Sequence, residues 1–194
     1  MDETLLRMLD FLQEIEKLKA VTRRNLTLDG GRLENSAEHS WSVSMMAITL
    51  HEYLPENTDL IRVIKMLLIH DIVEIDAGDI YLYDDRKRRA AVEKEKAAAD
   101  RIFSLLPENL RKEFTELWQE FDARETVDAK SAAAMDTLHP LINNNVTGRK
   151  KPVPMTCSQV LEKRQIIREV SDELWQLTWH LMEKGVEKGL FRED

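Results

Sequence analysis

The 194-residue sequence predicts an all-α fold, a bundle of helices around one core. Three observations carry that expectation. Apolar residues recur at intervals of three and four through most of the chain, the period of a helix face. There are only 6 glycines and 5 prolines, too few to punctuate many short strands. Hydrophobic residues make up 43% and charged residues 33%, the balance of a globular chain rather than a disordered one.

Leu5, Leu6, Leu9, Leu12, Ile15 and Leu18 place an amphipathic helix over residues 3–19. In residues 22–33, Asn25, Asp29, Gly30 and Gly31 read as a loop. Asn35 or Ser36 can cap the free donors of the next helix, which runs to about His51 and carries Trp41, Val43, Met45, Met46, Ile48 and Leu50. Pro55 and Asn57 then break the chain. A third helix covers residues 60–75. It is apolar nearly all round and is expected to be the central, buried one. Gly78 ends it, residues 81–85 form a loop, and a charged helix follows over about 86–105. Pro107 opens a helix to about Phe121, and residues 125–143 form an Ala-rich one. Residues 143–155, with Gly148, Pro152 and Pro154, read as a surface loop. A last helical stretch covers about 158–184, broken near Val170-Ser171. No strand, repeat or low-complexity tract is expected. The simplest organisation is a single domain over 1–194, with a core of about 5–145 and a C-terminal helical extension of about 156–188.

The net charge of −8, from 28 basic and 36 acidic residues, argues against a nucleic-acid polymer as partner. A small anionic substrate remains compatible, because a few arginines or a cation can reverse the sign inside one pocket. Cys157 is the one cysteine, so no internal disulfide can form. The acidic amino-terminal segment does not resemble a secretory leader, and apolar runs such as 66–69 are too short to cross a bilayer. The expected location is cytoplasmic, with no membrane partner.

Chemistry concentrates at three places. His70-Asp71-Ile72-Val73-Glu74-Ile75-Asp76-Ala77-Gly78-Asp79 sets one imidazole and four carboxylates at the end of an apolar helix, with Glu74 on the face of His70 and Asp71. Burial of such groups is costly unless they are paired or bind a metal. Glu38-His39 opens a largely apolar helix. Asp136 follows Ala132 and Ala133 along a stripe of small residues, and Pro140 cannot donate to the carbonyl of residue 136, so a kink is expected there. Taken singly, each residue is as well explained by a cap or a hydrogen-bonded core position. Together, two imidazoles and two carboxylates suit one divalent ion such as Mn, Co, Fe, Ni or Zn better than the all-oxygen cages of Ca.

The order His39, His70-Asp71, Asp136 resembles that of HD-superfamily metal-dependent phosphohydrolases. The strings Glu34-Asn35-Ser36-Ala37-Glu38-His39-Ser40 and His70-Asp71 with Glu74 and Gly78-Asp79 are similar to the bacterial 5′-deoxynucleotidase branch and its eukaryotic HD-domain relatives. The resemblance covers about residues 5–145. It implies an HD-domain helical bundle, often a homodimer, that removes phosphate from (deoxy)ribonucleoside 5′-monophosphates. It further implies His39, His70, Asp71 and Asp136 as ligands to one divalent metal ion (Mn, Co, Fe, Ni, Zn or Mg), Glu74 as the catalytic carboxylate and Asp79 as a substrate-contacting or catalytic residue. Either Arg23 or Arg24 would orient the phosphate. Two departures stand out. Residues 80–85 replace a Pro-containing segment of the nucleotidases, and His139 stands where relatives more often carry a neutral polar residue. His139 is either a residue backing the ligands or a helix-packing histidine.

Two rivals follow. One is another HD phosphohydrolase or phosphodiesterase acting on a different phosphorylated metabolite. Multi-metal sites of that kind recruit histidines between the His-Asp pair and the last Asp, and none lies between Asp71 and Asp136. The other is a helical interaction protein that keeps the metal site without activity, with Arg86-Lys87-Arg88-Arg89 as a partner surface and Trp118, Trp175 and Trp179 as dimer anchors. A solvated helix face and ordinary packing are the plainer readings of those residues.

Overall fold

The computed structural model of the chain describes residues 2–80, 85–148, 150 and 154–194. It is a helical bundle with two very small sheets. Helix α1 (Glu3–Ile15) continues into a 3-10 turn (Glu16–Ala20) that buries Leu18. The face of α1 that packs inward carries Phe11, edge-on to Phe114, whereas Leu5, Leu9 and Leu12 of the expected stripe remain exposed.

The expected loop over 22–33 is instead a β-hairpin. Strands β1 (Thr22–Leu26) and β2 (Leu33–Asn35) pair antiparallel, and Gly30 turns between them at φ +69°. The sequence Thr-Arg-Arg-Asn-Leu lacks the apolar alternation that announces a strand. Its alternation is one of charge placement, with Arg23 inward and Arg24 outward. Helix α2 (Ser36–Thr49) starts where the sequence predicts, through a capping box between Asn35 and Glu38. Glu38 is committed to that cap and to an ion pair with Arg32, so it lies outside the chemistry.

The third helix departs from expectation twice. Helix α3 (Leu60–Ile69) stops at His70, and the chain tightens into i→i+3 turns over 70–73 before the single turn α4 (Glu74–Ala77). Residues three apart eclipse in such turns, which draws Asp71 and Glu74 together. Nor is α3 central, since Ile61 (64% exposed) and Leu68 (49%) face outward. Centrality belongs to α7 (Val127–Thr147), whose Ala129, Ala132, Ala133 and Ala134 are fully buried. Small side chains let α2, α3, α6 (Glu108–Ala123), α9 (Gln165–Val170) and α10 (Asp172–Glu187) approach it closely. The helix runs on through Pro140 to Thr147 and ends at Gly148 in the left-handed region. Asn145, expected in a surface loop, is therefore buried, donating to the carbonyls of Leu141 and Leu181.

Helix α5 (Asp85–Phe103) adds Ile102 and Phe103 to the core. The loop expected over 81–85 falls on residues 81–84, outside the described residues, except for Asp85, which opens α5. The side chains of Lys87, Arg88 and Arg89 likewise fall outside them. Beyond α7, β3 (Met155–Thr156) pairs in parallel with β4 (Phe191–Arg192), and α8 (Cys157–Glu162) lies between α7 and α9 in the chain. Leu141, Val160, Leu161, Met182, Leu190 and Phe191 form a second apolar cluster, which shares Trp175 and Leu181 with the main core. Trp118 is buried and Trp175 partly buried, as expected of packing residues, while Trp179 is exposed. Among the described residues no helix is long and apolar enough to cross a membrane.

Candidate metal centre

Three helix segments bring the predicted residues together. His39 sits in the first turn of α2, His70 caps α3 with Asp71 following it, and Asp136 lies midway along α7. His39 Nε2 is 2.9 Å from Asp136 Oδ1 and 3.9 Å from Asp71 Oδ2. His70 Nε2 is 3.0 Å from Asp71 Oδ1 and 3.8 Å from Asp136 Oδ1. Ligands held about 2.1 Å from one ion lie about 3.0–3.4 Å apart when adjacent, and the shorter two of these four distances fall close to that spacing. The side-chain donors of His39, His70 and Asp136 all fall within 4.8 Å of one another and could hold a metal ion.

The donors also fit an ion chemically. His70 Nδ1 lies 2.9 Å from the carbonyl oxygen of Leu67, which can only accept, so Nδ1 carries the proton. Its Nε2 is then a bare lone pair, buried and without a hydrogen-bond partner. It faces a carboxylate oxygen of Asp71 at 3.0 Å, a contact that is repulsive unless a cation or a proton lies between. Burial disfavours the charged form of Asp136. The hydrogen bond from His39, together with the charge of the neighbouring Arg23, outweighs that and holds its pKa below the usual carboxylate range. Burial first, then the neighbouring Arg23, lower the pKa of His39 and keep it neutral, as a ligand must be.

A second group of residues faces the same point. Arg23 is the second residue of β1 and its side chain is only 14% exposed; its Nη1 is 2.8 Å from Asp71 Oδ2, 3.5 Å from Asp79 Oδ1 and 4.0 Å from Glu74 Oε1. Burial opposes its charge, but Asp71, Glu74, Asp136 and Asp79 raise its pKa further still. Arg24 points outward from the strand, though it reaches the rim of the cavity. Glu74 opens α4 and accepts from Ser36 Oγ at 2.6 Å. Burial, then the charge of Asp71, push its pKa well above the carboxylate range despite Arg23. Gly78 has φ +78° and ψ 154°, a conformation that requires glycine, and this turn presents Asp79 to the site. Burial raises the pKa of Asp79 as well.

These residues line a cavity of about 430 Å³, the size that accepts a small organic ligand. Its other walls are Trp118, Phe121 and Pro140, together with Met155, Arg164 and Phe191 from the C-terminal extension. Three further residues matter that the spacing argument did not assign. Ser36 holds Glu74, Glu34 lies 3.8 Å from Arg23 Nε, and His139 contacts His39. Ser36 and Glu34 flank the Asn35 cap within the motif string, so their position was visible although their partners were not. His51 and His180 are exposed and take no part.

Comparison with known proteins identifies the family and the fold. A family model described as HD domain matches residues 15–175. The 5′-deoxynucleotidase HDDC2 of Danio rerio is 32% identical over 140 residues, 70% of this chain and 66% of that one. The protein of the same name from Homo sapiens is 31% identical, over 66% of this chain and 62% of its own length. The chain thus spans a little under two thirds of the length of the curated relatives it matches. The crystal structure of a predicted metal-dependent phosphohydrolase from Magnetospirillum magnetotacticum MS-1 superposes with a TM-score of 0.90 at 42% identity, covering 97% of this chain and 95% of that one. An HD-domain phosphohydrolase from Listeria innocua shares the fold, with a TM-score of 0.68 at 19% identity. A paired imidazole and carboxylate at the end of α3, met by His39 and Asp136 and matched by a model spanning most of the sequence, places this chain in the HD domain family.

Proposed function

We propose that the chain is a metal-dependent phosphomonoesterase that hydrolyses nucleoside 5′-monophosphates, with His39, His70, Asp71 and Asp136 holding one divalent ion. The carrying observation is the charge balance of the cavity. The carboxylates of Asp71, Glu74, Asp79 and Asp136 converge on the guanidinium of Arg23, while the other arginines of the cavity wall, Arg24, Arg124 and Arg164, are not among the ion-pair partners of these four carboxylates at the centre. Such a site repels a phosphate dianion unless a cation is bound, and the bare lone pair of His70 supplies a place for one.

When bound, a divalent ion here supplies Lewis-acid charge for a phosphoryl oxygen and for the deprotonation of water. The residues of the chain do the rest. Arg23 turns from Asp71 to the phosphate and grips two of its oxygens with its planar fork. Glu74, held beside the site by Ser36, takes the proton of the attacking water. The water oxygen bonds to phosphorus as the P–O ester bond breaks, and a proton reaches the leaving 5′-oxygen. Asp79 contacts the sugar or delivers that proton. Trp118 and Phe121 offer flat apolar surface for the base.

A homodimer belongs to the same proposal. Trp41 (65% exposed), Met45 and Ile48 of α2 and Ile61 and Leu68 of α3 are exposed apolar residues on two helices that pack together, and a second copy would cover them. A cytoplasmic location is inferred from the lone cysteine, which makes no demand on an oxidising compartment.

The test is phosphate release from each nucleoside 5′-monophosphate with Mn, Co, Fe, Ni, Zn and Mg in turn. Release from at least one nucleotide, lost on chelation, is expected. A protein that binds metal yet releases no phosphate from any of them contradicts the proposal.

A further inference from the structure

We propose that Arg124 is a second substrate-binding arginine, which grips the phosphate of the substrate from the end of α6 and is retained there in spite of backbone strain. The inference rests on the reading of the cavity as the place where a phosphomonoester binds. It starts from the backbone. Helix α6 ends at Arg124 in the left-handed region, with φ 54° and ψ 33°. A Cβ is crowded in that conformation, and helices that end this way usually do so on glycine. Among the described residues Arg124 is the one non-glycine with a positive φ; the other such positions are Gly30, Gly78, Gly148 and Gly189.

Helix α7 provides the control. Gly148 ends it with φ 64° and ψ 19°, nearly the same conformation. The two residues do the same local job. Each turns the chain out of a helix while its backbone N–H donates to the carbonyl four residues back, Glu120 in one case and Asn144 in the other. Only one of them faces the cavity: Arg124 lines it and Gly148 does not. Local geometry favours glycine at both ends, and the cavity distinguishes the end where an arginine stands. Strain of this kind collects at ligand sites, where the side chain's contact with the ligand offsets it.

The side chain is also placed to take an anion. Phe121, three residues earlier, packs its ring 4.9 Å from that of His70, so α6 ends beside the candidate metal centre. Arg124 is partly buried, and its guanidinium has no hydrogen-bond or ion-pair partner among the described residues, although Asp122 and Glu125 are close to it in the chain. Arg62 gives the contrast, since Glu120 in the same last turn of α6 takes its guanidinium. A guanidinium that faces a cavity offers two parallel donors matched to two oxygens of a phosphate. A positive charge also suits the carbonyl end of a helix. That end is served equally well by an arginine or lysine one or two residues earlier, where no left-handed backbone is needed.

The test compares the full-length wild type with Arg124→Gly and Arg124→Lys. In urea melts of the metal-free proteins Arg124→Gly should have a higher midpoint than wild type and Arg124→Lys an unchanged one, because only glycine relieves the strain. A lower midpoint for Arg124→Gly overturns the proposal. Calorimetry with inorganic phosphate in the presence of Mn²⁺ should show binding about 10-fold weaker in Arg124→Gly, the effect of one charge-assisted hydrogen bond, with Arg124→Lys between the two. For the nucleotide that the wild type hydrolyses best, the loss in Arg124→Gly should fall mainly on KM. Equal phosphate affinity in wild type and Arg124→Gly, or no phosphate binding by the wild type, overturns the proposal. The two readings fail separately. Phosphate binding that depends on residue 124, in a chain that hydrolyses no nucleotide, overturns the phosphomonoesterase reading and supports the arginine's role. Nucleotide hydrolysis with unchanged phosphate affinity in Arg124→Gly overturns the arginine's role alone.

Discussion

The two halves of the site are built differently. The proposed metal half rests on helices: His39 on α2, His70 at the end of α3 and Asp136 on α7, with His39 fully buried. The proposed substrate half rests on a five-residue strand and a glycine turn, with Arg23 on β1 and Asp79 after Gly78. An ion tolerates only small errors in ligand distance, and packed helices hold side chains to that tolerance. A phosphate must enter and leave, and a hairpin and a turn can yield to it. The halves meet at the Arg23–Asp71 ion pair, which couples them.

The largest effect that would sharpen this contrast is loss of the metal itself. Asp136→Ala should abolish stoichiometric binding of a divalent ion in calorimetry, because it removes the carboxylate that faces both imidazoles. Glu74→Gln should instead keep the ion and lower turnover by about 10²–10⁴-fold. Near-normal turnover in that variant would remove Glu74 from its role. Arg23→Lys should reduce kcat/KM for a nucleoside monophosphate by about 10–100-fold, the worth of a charged two-pronged bond. Arg24→Lys, on the outward face of the strand, should change it by less than about threefold. Equal losses in the two would break the inward–outward distinction.

A smaller effect concerns the extension that walls the cavity. Gly185 lies directly beneath the ring of Phe191, with no space for a Cβ. Gly185→Ala should destabilise the chain by about 1–3 kcal/mol in urea melts and move Phe191 at the cavity wall. The smallest is a pH effect on the metal-free protein. Burial, then His39 and Arg23, push the pKa of His139 down to about 3 from 6.5, so between those values the unfolded chain binds the extra proton. Stability from this group is complete above pH 6.5 and is lost as pH falls toward 3. Glu34, raised by burial to about 7, works the other way between 4.5 and 7, because there the folded state holds the proton. Denaturation series between pH 6.5 and 3 should therefore show wild type losing more stability than His139→Leu as the pH falls. Parallel curves would contradict this.

The contrast between the halves also governs what the sequence disclosed. The metal half was legible because its residues fall in short strings on strongly periodic helices, and His70-Asp71 needed no knowledge of tertiary structure to stand out. The choice between Arg23 and Arg24 was not legible, because it depends on a strand whose residues are polar on both faces. Residues 22–33 therefore read as a loop. The break of α3 at His70 carried no Gly or Pro to announce it. It follows from tertiary contacts of Asp71 and Glu74 rather than from local propensity. The central place of α7 was hidden for a related reason: alanine contributes little apolar area, and its value lies in letting neighbours come close. His139 could be noted as unusual, but only the fold sets it against His39.

The most direct test is crystallographic. Crystals grown with Mn²⁺ or Co²⁺ should show one anomalous peak per chain, about 2.0–2.3 Å from His39 Nε2, His70 Nε2 and carboxylate oxygens of Asp71 and Asp136. No peak at full metal occupancy in solution, or a peak among Glu34, His39 and His139 instead, would contradict the account.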